Sequence, residues 1–281
     1  MPGPGSRFRP GAAGLRDCSR RPVAPTQSLR MPLASIEPQR LYHRIAGQLR
    51  GLILRGEYAP GTRLPPERDL AIQLGVSRPS VREALIALEV EGFVDIRIGS
   101  GIYAKTPVTP GVGSALADAD GPLELIRARA LIEPEVAAQA AAHIKRAQLD
   151  GVAAAIALME ADARDGRIPT AGDRQFHVRI AEAAGNGVLV SVVGQLFDGR
   201  ANPLFVKLAH YFENPKSWAA AIREHRKVLD ALAAHDAGAA RAAMRSHMQL
   251  SHKRFNAGWP EAKKRTAQGA NSTVDGHAEA T

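Results

Sequence analysis

The sequence predicts a mostly α-helical protein, with an N-terminal winged helix–turn–helix domain followed by a C-terminal all-α antiparallel helical bundle. Two observations predict this fold class. Residues 41–104 contain three apolar stretches at helical spacing and then a short segment in which apolar residues alternate. Residues 121–257 contain further apolar stretches at helical spacing, separated by short breaks rich in Gly and Pro.

Composition limits the class of protein. The 281 residues suffice for two domains, and no run of 18 apolar residues predicts a membrane-spanning helix. Cys18 is the single cysteine, which excludes an intrachain disulfide and fits a reducing, cytoplasmic location. The net charge of +9 does not by itself indicate nucleic-acid binding, because residues 1–34 alone carry six Arg and one Asp.

Composition also suggests where the domains begin and end. The stretch "KTPVTPGVGS" at 105–114 separates the two folded parts, and Met31 is an alternative start that would leave most of the first tail untranslated. The expected segments are a disordered tail at 1–34, a winged helix at 35–105, a linker at 106–120, an all-helical domain at 121–257 and a second disordered tail at 258–281.

Local signals delimit the elements of the first domain. The first helix ends at Gly56, and Pro66 lies at the start of a second helix that ends at Gly75. Ser77 is the natural N-cap of a third helix, which begins after a very tight turn. The segment "FVDIRIGSGIYA" at 93–104 predicts a β-hairpin with a glycine-rich tip. This order of elements is that of a winged helix.

Arg78 and Arg82 lie one turn apart at the start of the third helix, where the helix dipole disfavours positive charge. Helical geometry places both on the side away from the apolar face, which predicts that they are exposed. The N-terminal end of this helix is the part that enters a DNA major groove, where Arg binds guanine or phosphate. The alternative is an ordinary solvated domain whose arginines pair with Glu83 or Glu89.

Other residues of the first domain suit the same interpretation. Ser77, Ser80 and the amides at the helix N-terminus fit phosphate oxygens. Arg68, on the preceding helix, is placed for a backbone or base-edge contact. Gly99 and Gly101 at the hairpin tip would let the wing approach a minor groove closely.

The stretch "GTRLPPERDLAIQLGVSRPSVREALIALEVEGFVDIRIGSGIYA" at 61–104 resembles the DNA-binding domain of the GntR family of bacterial transcription regulators. The resemblance extends over 41–104 and implies a double-stranded DNA operator as partner. It departs at Ile98, where some relatives have a polar residue, so minor-groove reading by that side chain is not expected. The residues expected to contact DNA are Arg68, Ser77, Arg78, Ser80, Arg82 and Gly99.

Asp173 and His177 are four residues apart and therefore project from one face of one helix. A carboxylate and an imidazole on an apolar stripe are unfavourable unless both are satisfied. His225 and His247 lie on later helices, each flanked by apolar residues at helical spacing. Three imidazoles and one carboxylate suit Zn²⁺, Ni²⁺ or Mn²⁺. Spacing alone leaves open that these histidines are merely solvated or hydrogen-bonded.

Residues 121–257 resemble the ligand-binding (FCD-type) domain of FadR-type GntR regulators, in its metal-binding subgroup. Matching stretches are "RALIEPEVAAQAAA", "DRQFHVRIAEAAGN", "EHRKVLDAL" and "AAMRSHM". The resemblance implies that one divalent metal is bound by Asp173, His177, His225 and His247. The histidines that match no ligand position are expected at the surface: His143, His210, His235 and His252.

The resemblance also implies a homodimer and a small carboxylate or sugar-acid effector, with most similarity to hexuronate- or aldonate-responsive members. Arg129 is the candidate second anchor for an anion. Its alternative is an ion pair with Glu133 on the helix surface. Asn186 is a second candidate effector contact, although an Asn between two Gly is equally explained by a helix-ending turn.

Three functions follow from these residues. The leading hypothesis is a repressor that binds a palindromic operator as a dimer and responds to an acid bound at the metal. The second is a regulator for which the metal itself is the signal. The third is a metal-dependent enzyme with a metal-activated water. No glutamate beside the candidate ligands stands out as a general base, which disfavours the enzyme.

Overall fold

The computed structural model describes residues 40–106, 120–257 and Trp259. Residues 1–34 and nearly all of the predicted linker and second tail therefore lie outside the described residues. The winged helix contains α1 (Leu41–Leu54), α2 (Glu67–Leu74), α3 (Arg78–Val90), β1 (Val94–Arg97) and β2 (Gly101–Ala104).

The predicted signals are found at the ends of these elements. Gly75 closes α2 in the left-handed conformation, with φ of 64°. Ser77 caps α3, and its side chain accepts from the Ser80 amide at 3.3 Å. The two strands pair antiparallel, with Val94 opposite Ala104, and form the wing. Together α2, the tight turn and α3 make the helix–turn–helix.

The second part is all-helical, as predicted. Its helices are α4 (Pro122–His143), α5 (Arg146–Arg164), α6 (Thr170–Ala183), α7 (Gly187–Asp198), α8 (Pro203–Phe212), α9 (Pro215–Ala233) and α10 (Ala237–Phe255). The apolar spacing and the Gly and Pro breaks of the sequence predict one helix over 187–210, and this prediction is wrong because α7 and α8 are separate helices. The chain passes through a 3₁₀ turn at Gly199–Ala201, and Asn202 then caps α8 by accepting from the Phe205 amide at 2.8 Å.

Two apolar clusters hold these elements. One lies inside the bundle and includes Met159, Phe176 and Ile180. The other is shared between the winged helix and the bundle, because it joins the buried residues of α1 and α3 to those of α8 and to Phe255. Helix α3, the second helix of the helix–turn–helix, therefore packs against the second domain. No helix within the described ranges has the length and apolar character needed to cross a bilayer.

Candidate functional site

Asp173 and His177 of α6 meet His225 of α9 and His247 of α10 inside the bundle. One candidate ligand atom from each residue lies within 4.8 Å of the other three. Asp173 Oδ1 is 3.5 Å from His177 Nε2 and 3.4 Å from His225 Nε2, and His225 Nε2 is 3.0 Å from His247 Nε2. The three histidines are buried. Three imidazole nitrogens facing one carboxylate form a donor set that fits a divalent transition metal.

Two glutamates position the imidazoles from behind. The Glu133 carboxylate contacts His177 Nδ1, and Glu224 Oε2 lies 2.8 Å from His247 Nδ1. When Nδ1 carries the proton toward a carboxylate, the Nε2 lone pair faces the centre, as a metal ligand requires. Sequence reasoning assigned neither glutamate to a histidine. The available signals were the position of Glu224 beside His225 and that of Glu133 on the helix bearing Arg129.

The electrostatics favour neutral imidazoles at His225 and His247 and ionised carboxylates at Glu133 and Asp173. Burial and the neighbouring His247 hold the pKa of His225 well below its usual value, and burial also lowers the pKa of His247. Burial alone would raise the pKa of Glu133, but Arg129 and His177 outweigh it and lower that pKa to about 2. Neutral imidazoles, and ionised carboxylates that contact them, are the protonation states that metal binding needs.

Arg129 and Arg200 bring positive charge to the same place. Arg129 Nε donates to Glu133 Oε1 at 2.5 Å, and only 2% of each residue is exposed. The expected ion pair exists, but its placement on the helix surface is wrong because Phe197 of α7 and His177 of α6 pack against it. Arg200 pairs with Asp173 and with Glu213. The Asp173 pKa lies well below its usual value because Arg200 and the histidines together outweigh the effect of burial.

A pocket opens beside these residues. Its lining contains Asp173, His247 and the guanidinium-bearing residues Arg129, Arg200 and Arg254, with Trp218 and other aromatic residues on the remaining walls. Among the described residues, Arg129 Nη2 and Arg200 Nε are buried without a hydrogen-bond partner. Unused cationic donors next to a candidate metal favour an anionic, oxygen-rich ligand.

Asn186 does not belong to that pocket lining. It is exposed and caps α7, accepting from the Val188 amide at 3.0 Å. Gly185 beside it adopts the left-handed conformation, with φ of 72°. The turn between α6 and α7 accounts for this residue, and its candidacy as an effector contact loses its basis.

The residues expected to contact DNA divide into two groups. Arg68, Ser77, Arg78 and Gly99 are exposed, and Ser80 is half-buried beside them. Arg82 is buried, with 2% of its surface exposed, so the prediction of an exposed side chain is wrong. Helical geometry placed Arg82 correctly on the side of α3 away from the winged-helix core. The second domain, which this argument does not include, covers the side chain.

Glu67 at the start of α2 was also missed. Its carboxylate accepts from Arg78 Nε at 3.0 Å and from Arg82 Nε at 2.9 Å. The arginines thus pair across the helix–turn–helix, and not with Glu83 or Glu89 along α3. The neighbouring carboxylate explains how α3 tolerates two cations in its first turns.

Comparisons with known proteins agree with these two halves. Residues 41–104 match the family model "Bacterial regulatory proteins, gntR family", and residues 124–250 match the "FCD domain" model. The chain is 36% identical to the Uxu operon transcriptional regulator of Escherichia coli (strain K12), over 77% of this chain and 87% of that protein.

Two further relatives come from the same organism. The Exu regulon transcriptional regulator is 34% identical, over 76% of this chain and 83% of the relative. A "putative L-lactate dehydrogenase operon regulatory protein" is 32% identical, over 78% of this chain and 89% of the relative. All three names describe regulators of genes.

Proposed function

This chain belongs to the gntR family of bacterial regulatory proteins and carries an FCD domain, and from that premise we propose that it is a cytoplasmic repressor controlled by a small acid. In this proposal a homodimer binds a palindromic operator through its winged helices. A sugar acid or another small organic acid binds in the FCD domain at a divalent metal and changes the affinity for DNA. The family is one of transcriptional regulators and not of enzymes.

The observation that carries the proposal is the convergence of Asp173, His177, His225 and His247 beside an arginine-lined pocket. When bound, a divalent metal would supply positive charge and open coordination positions for a carboxylate. Arg129 and Arg200 would bind the remaining oxygens of the acid. The aromatic residues of the pocket would pack against its carbon skeleton.

The name of one relative supports a small-acid effector. It is named for genes of an L-lactate dehydrogenase, whose substrate is a small hydroxy acid. We therefore place 2-hydroxy acids, together with the hexuronates and aldonates that the sequence resemblance implies, first among effectors to be tested.

Operator binding is tested with Arg78→Ala, since Arg78 is the most exposed of the recognition-helix arginines. With a duplex selected by the wild-type protein from random-sequence DNA, we expect affinity to fall about 10- to 100-fold and the salt slope to decrease by about one. Arg146→Ala removes a cation from α5 that is more exposed than Arg78, 87% against 53%, and should leave both unchanged. Failure of the wild-type protein to select any duplex would remove the DNA half of the proposal.

The effector half is tested by thermal unfolding with Zn²⁺, Ni²⁺ or Mn²⁺, each with and without D-glucuronate, D-gluconate or L-lactate. We expect at least one acid to raise the melting temperature only when metal is present, and His225→Ala to abolish that increase. Stabilisation by metal alone, together with DNA affinity that follows metal concentration, would favour the metal itself as the signal. No response to any metal would exclude the metal centre.

A further inference from the structure

Arg82 is held by the end of α10. Its Nη1 atom donates to the Phe255 carbonyl at 3.3 Å and also to the Ala257 carbonyl. Its guanidinium carbon lies 5.1 Å from the ring centre of Phe212 and 5.4 Å from that of Trp259. With 2% of its surface exposed, Arg82 cannot touch a DNA phosphate or base in this arrangement.

The neighbouring Glu83 is held by the opposite end of another helix. Its Oε1 accepts from the Leu123 amide in the first turn of α4 at 2.8 Å. Carbonyls at a helix C-terminus attract cations, and amides at a helix N-terminus attract anions. Consecutive residues of α3, a guanidinium and a carboxyl group, thus meet helix ends of the second domain that offer a carbonyl acceptor and an amide donor. Such matching specifies one orientation of α3, which apolar packing alone would not.

A third polar contact lies two turns further along α3. The Tyr211 hydroxyl donates to the Glu89 carboxylate, at 2.6 Å from Oε2, and Lys207 Nζ lies 3.4 Å from the same oxygen. Contacts at Arg82, Glu83 and Glu89 therefore fix the recognition helix along most of its length. Each has its partner in the second, all-helical part of the chain.

We propose that the contact between α3 and the second domain is an intramolecular lock on this helix, in which the end of α10 competes with DNA for Arg82. The inference rests on the proposed function, because it assumes that α3 binds an operator. In the locked chain Arg78, Ser77 and Arg68 remain exposed, so DNA can be approached but α3 cannot enter the groove with both arginines free. When the end of α10 releases Arg82, this side chain joins the exposed residues and completes the surface that contacts DNA.

The lock is built into the wall of the effector pocket. Phe212, Arg254 and Phe255 line that pocket. Arg254 donates to Glu224, which also contacts His247 of the candidate metal centre. If a ligand in the pocket moves the end of α10, the contacts between that end and Arg82 will therefore change. By linkage, Arg82 must in turn influence the affinity for whatever occupies the pocket.

The test uses Trp259→Ala in the full-length chain. This substitution removes a ring that packs on Arg82, and Trp259 is itself neither one of the exposed arginines nor a residue of the pocket lining. Affinity for the selected duplex should rise about 2- to 30-fold, the range that loss of one cation–π contact predicts, and Arg82→Ala should abolish the rise. Trp259→Phe keeps a ring and should restore most of the wild-type affinity.

Lys253→Ala is the control, because Lys253 lies exposed in the last turn of α10, the helix whose end holds Arg82. It removes a positive charge and should not raise DNA affinity. An affinity that does not rise in Trp259→Ala, or rises equally when Arg82 is alanine, would overturn the lock.

Hydrogen exchange without DNA separates the lock from the proposed function. Amides in peptides covering residues 78–90 should exchange faster in Trp259→Ala than in the wild type or Lys253→Ala. Unchanged exchange in that segment would overturn the lock even in a chain that binds DNA. If the wild type selects no duplex, the proposed function fails while the exchange measurement still decides the lock.

Discussion

Arg82 and Glu67 form a buried bidentate ion pair across the helix–turn–helix, with Arg82 Nε 2.9 Å from Glu67 Oε2 and Arg82 Nη2 3.0 Å from Glu67 Oε1. The side chains are 2% and 4% exposed. Arg78 donates to the same carboxylate from its exposed position. One glutamate thus orients both arginines at the start of the recognition helix.

Replacing Glu67 with glutamine should destabilise the protein. The change leaves the buried Arg82 guanidinium without its counter-charge, and breaking a buried pair in this way costs about 3 kcal/mol in the free energy of unfolding. Urea unfolding measures the difference. Glu57→Gln provides the control, because Glu57 pairs with Arg55 in an exposed position and should change stability by less than about 1 kcal/mol. Equal losses in the two variants would contradict the role of Glu67.

Glu83 should make stability depend on pH. Burial, opposed only in part by the Leu123 amide, Arg127 and Arg82, raises the pKa of Glu83 to about 7, with Glu124 also raising it. Between pH 4.5 and 7 the folded chain holds a proton on this carboxyl that the unfolded chain has lost, so stability should fall as pH rises through this window. The full effect is about 3 kcal/mol.

Glu83→Gln removes this titration. The unfolding free energies of the wild type and the variant are measured at half-unit steps from pH 4.5 to 8. The difference between them should change with pH, because only the wild type carries the Glu83 contribution. Parallel profiles would show that the Glu83 pKa is not raised.

Glu224 should set metal affinity without being a ligand. Its carboxylate lies 2.8 Å from His247 Nδ1, so Glu224→Gln weakens the group that orients this imidazole. Loss of a carboxylate that orients a ligand imidazole lowers metal affinity about 10- to 100-fold, which Zn²⁺ titration calorimetry would measure. Glu160→Gln, at the exposed pair with Arg226, should leave Zn²⁺ affinity unchanged. A Glu224→Gln affinity equal to the wild type would show that His247 is positioned by packing alone.

Gly172 should tolerate no side chain. A Cβ there would lie 2.6 Å from Met159 Cγ and 2.8 Å from both the Ala155 carbonyl oxygen and the Met159 amide nitrogen. Backbone atoms cannot give way, so Gly172→Ala must push α6 from α5. We expect a loss of about 1–3 kcal/mol in unfolding free energy, and weaker Zn²⁺ binding because Asp173 moves with the helix.

Gly194→Ala is the matched control for Gly172→Ala. Gly194 also lies inside a helix, but its added Cβ would meet only the Arg174 side chain, at 3.8 Å. The gain in helix propensity should then stabilise the protein by up to about 1 kcal/mol. A loss of stability there as large as at Gly172 would show that helix packing in general, and not the α5–α6 contact, is being disturbed.

Local patterns predicted much of the fold and part of the site. The cap at Ser77, the helix end at Gly75 and the alternating wing depend on residues a few positions apart, so chain geometry decides them. Asp173 and His177 share a helix face for the same reason. Asn202 as N-cap and Pro203 as first residue are a local signal for the start of α8, which the prediction of one helix over 187–210 overlooked.

Tertiary structure determined the contacts between distant residues, which the periodicity of the sequence does not encode. His225 and His247 reach Asp173 only because α9 and α10 pack into the same bundle as α6, and Glu133 reaches His177 from α4. Arg82 was placed correctly on its own helix, yet its burial depends on carbonyls 173 and 175 residues further along the chain. The sequence alone determined the elements and the chemical types of the side chains. Packing between distant elements determined which of them are buried, paired and close enough to act together.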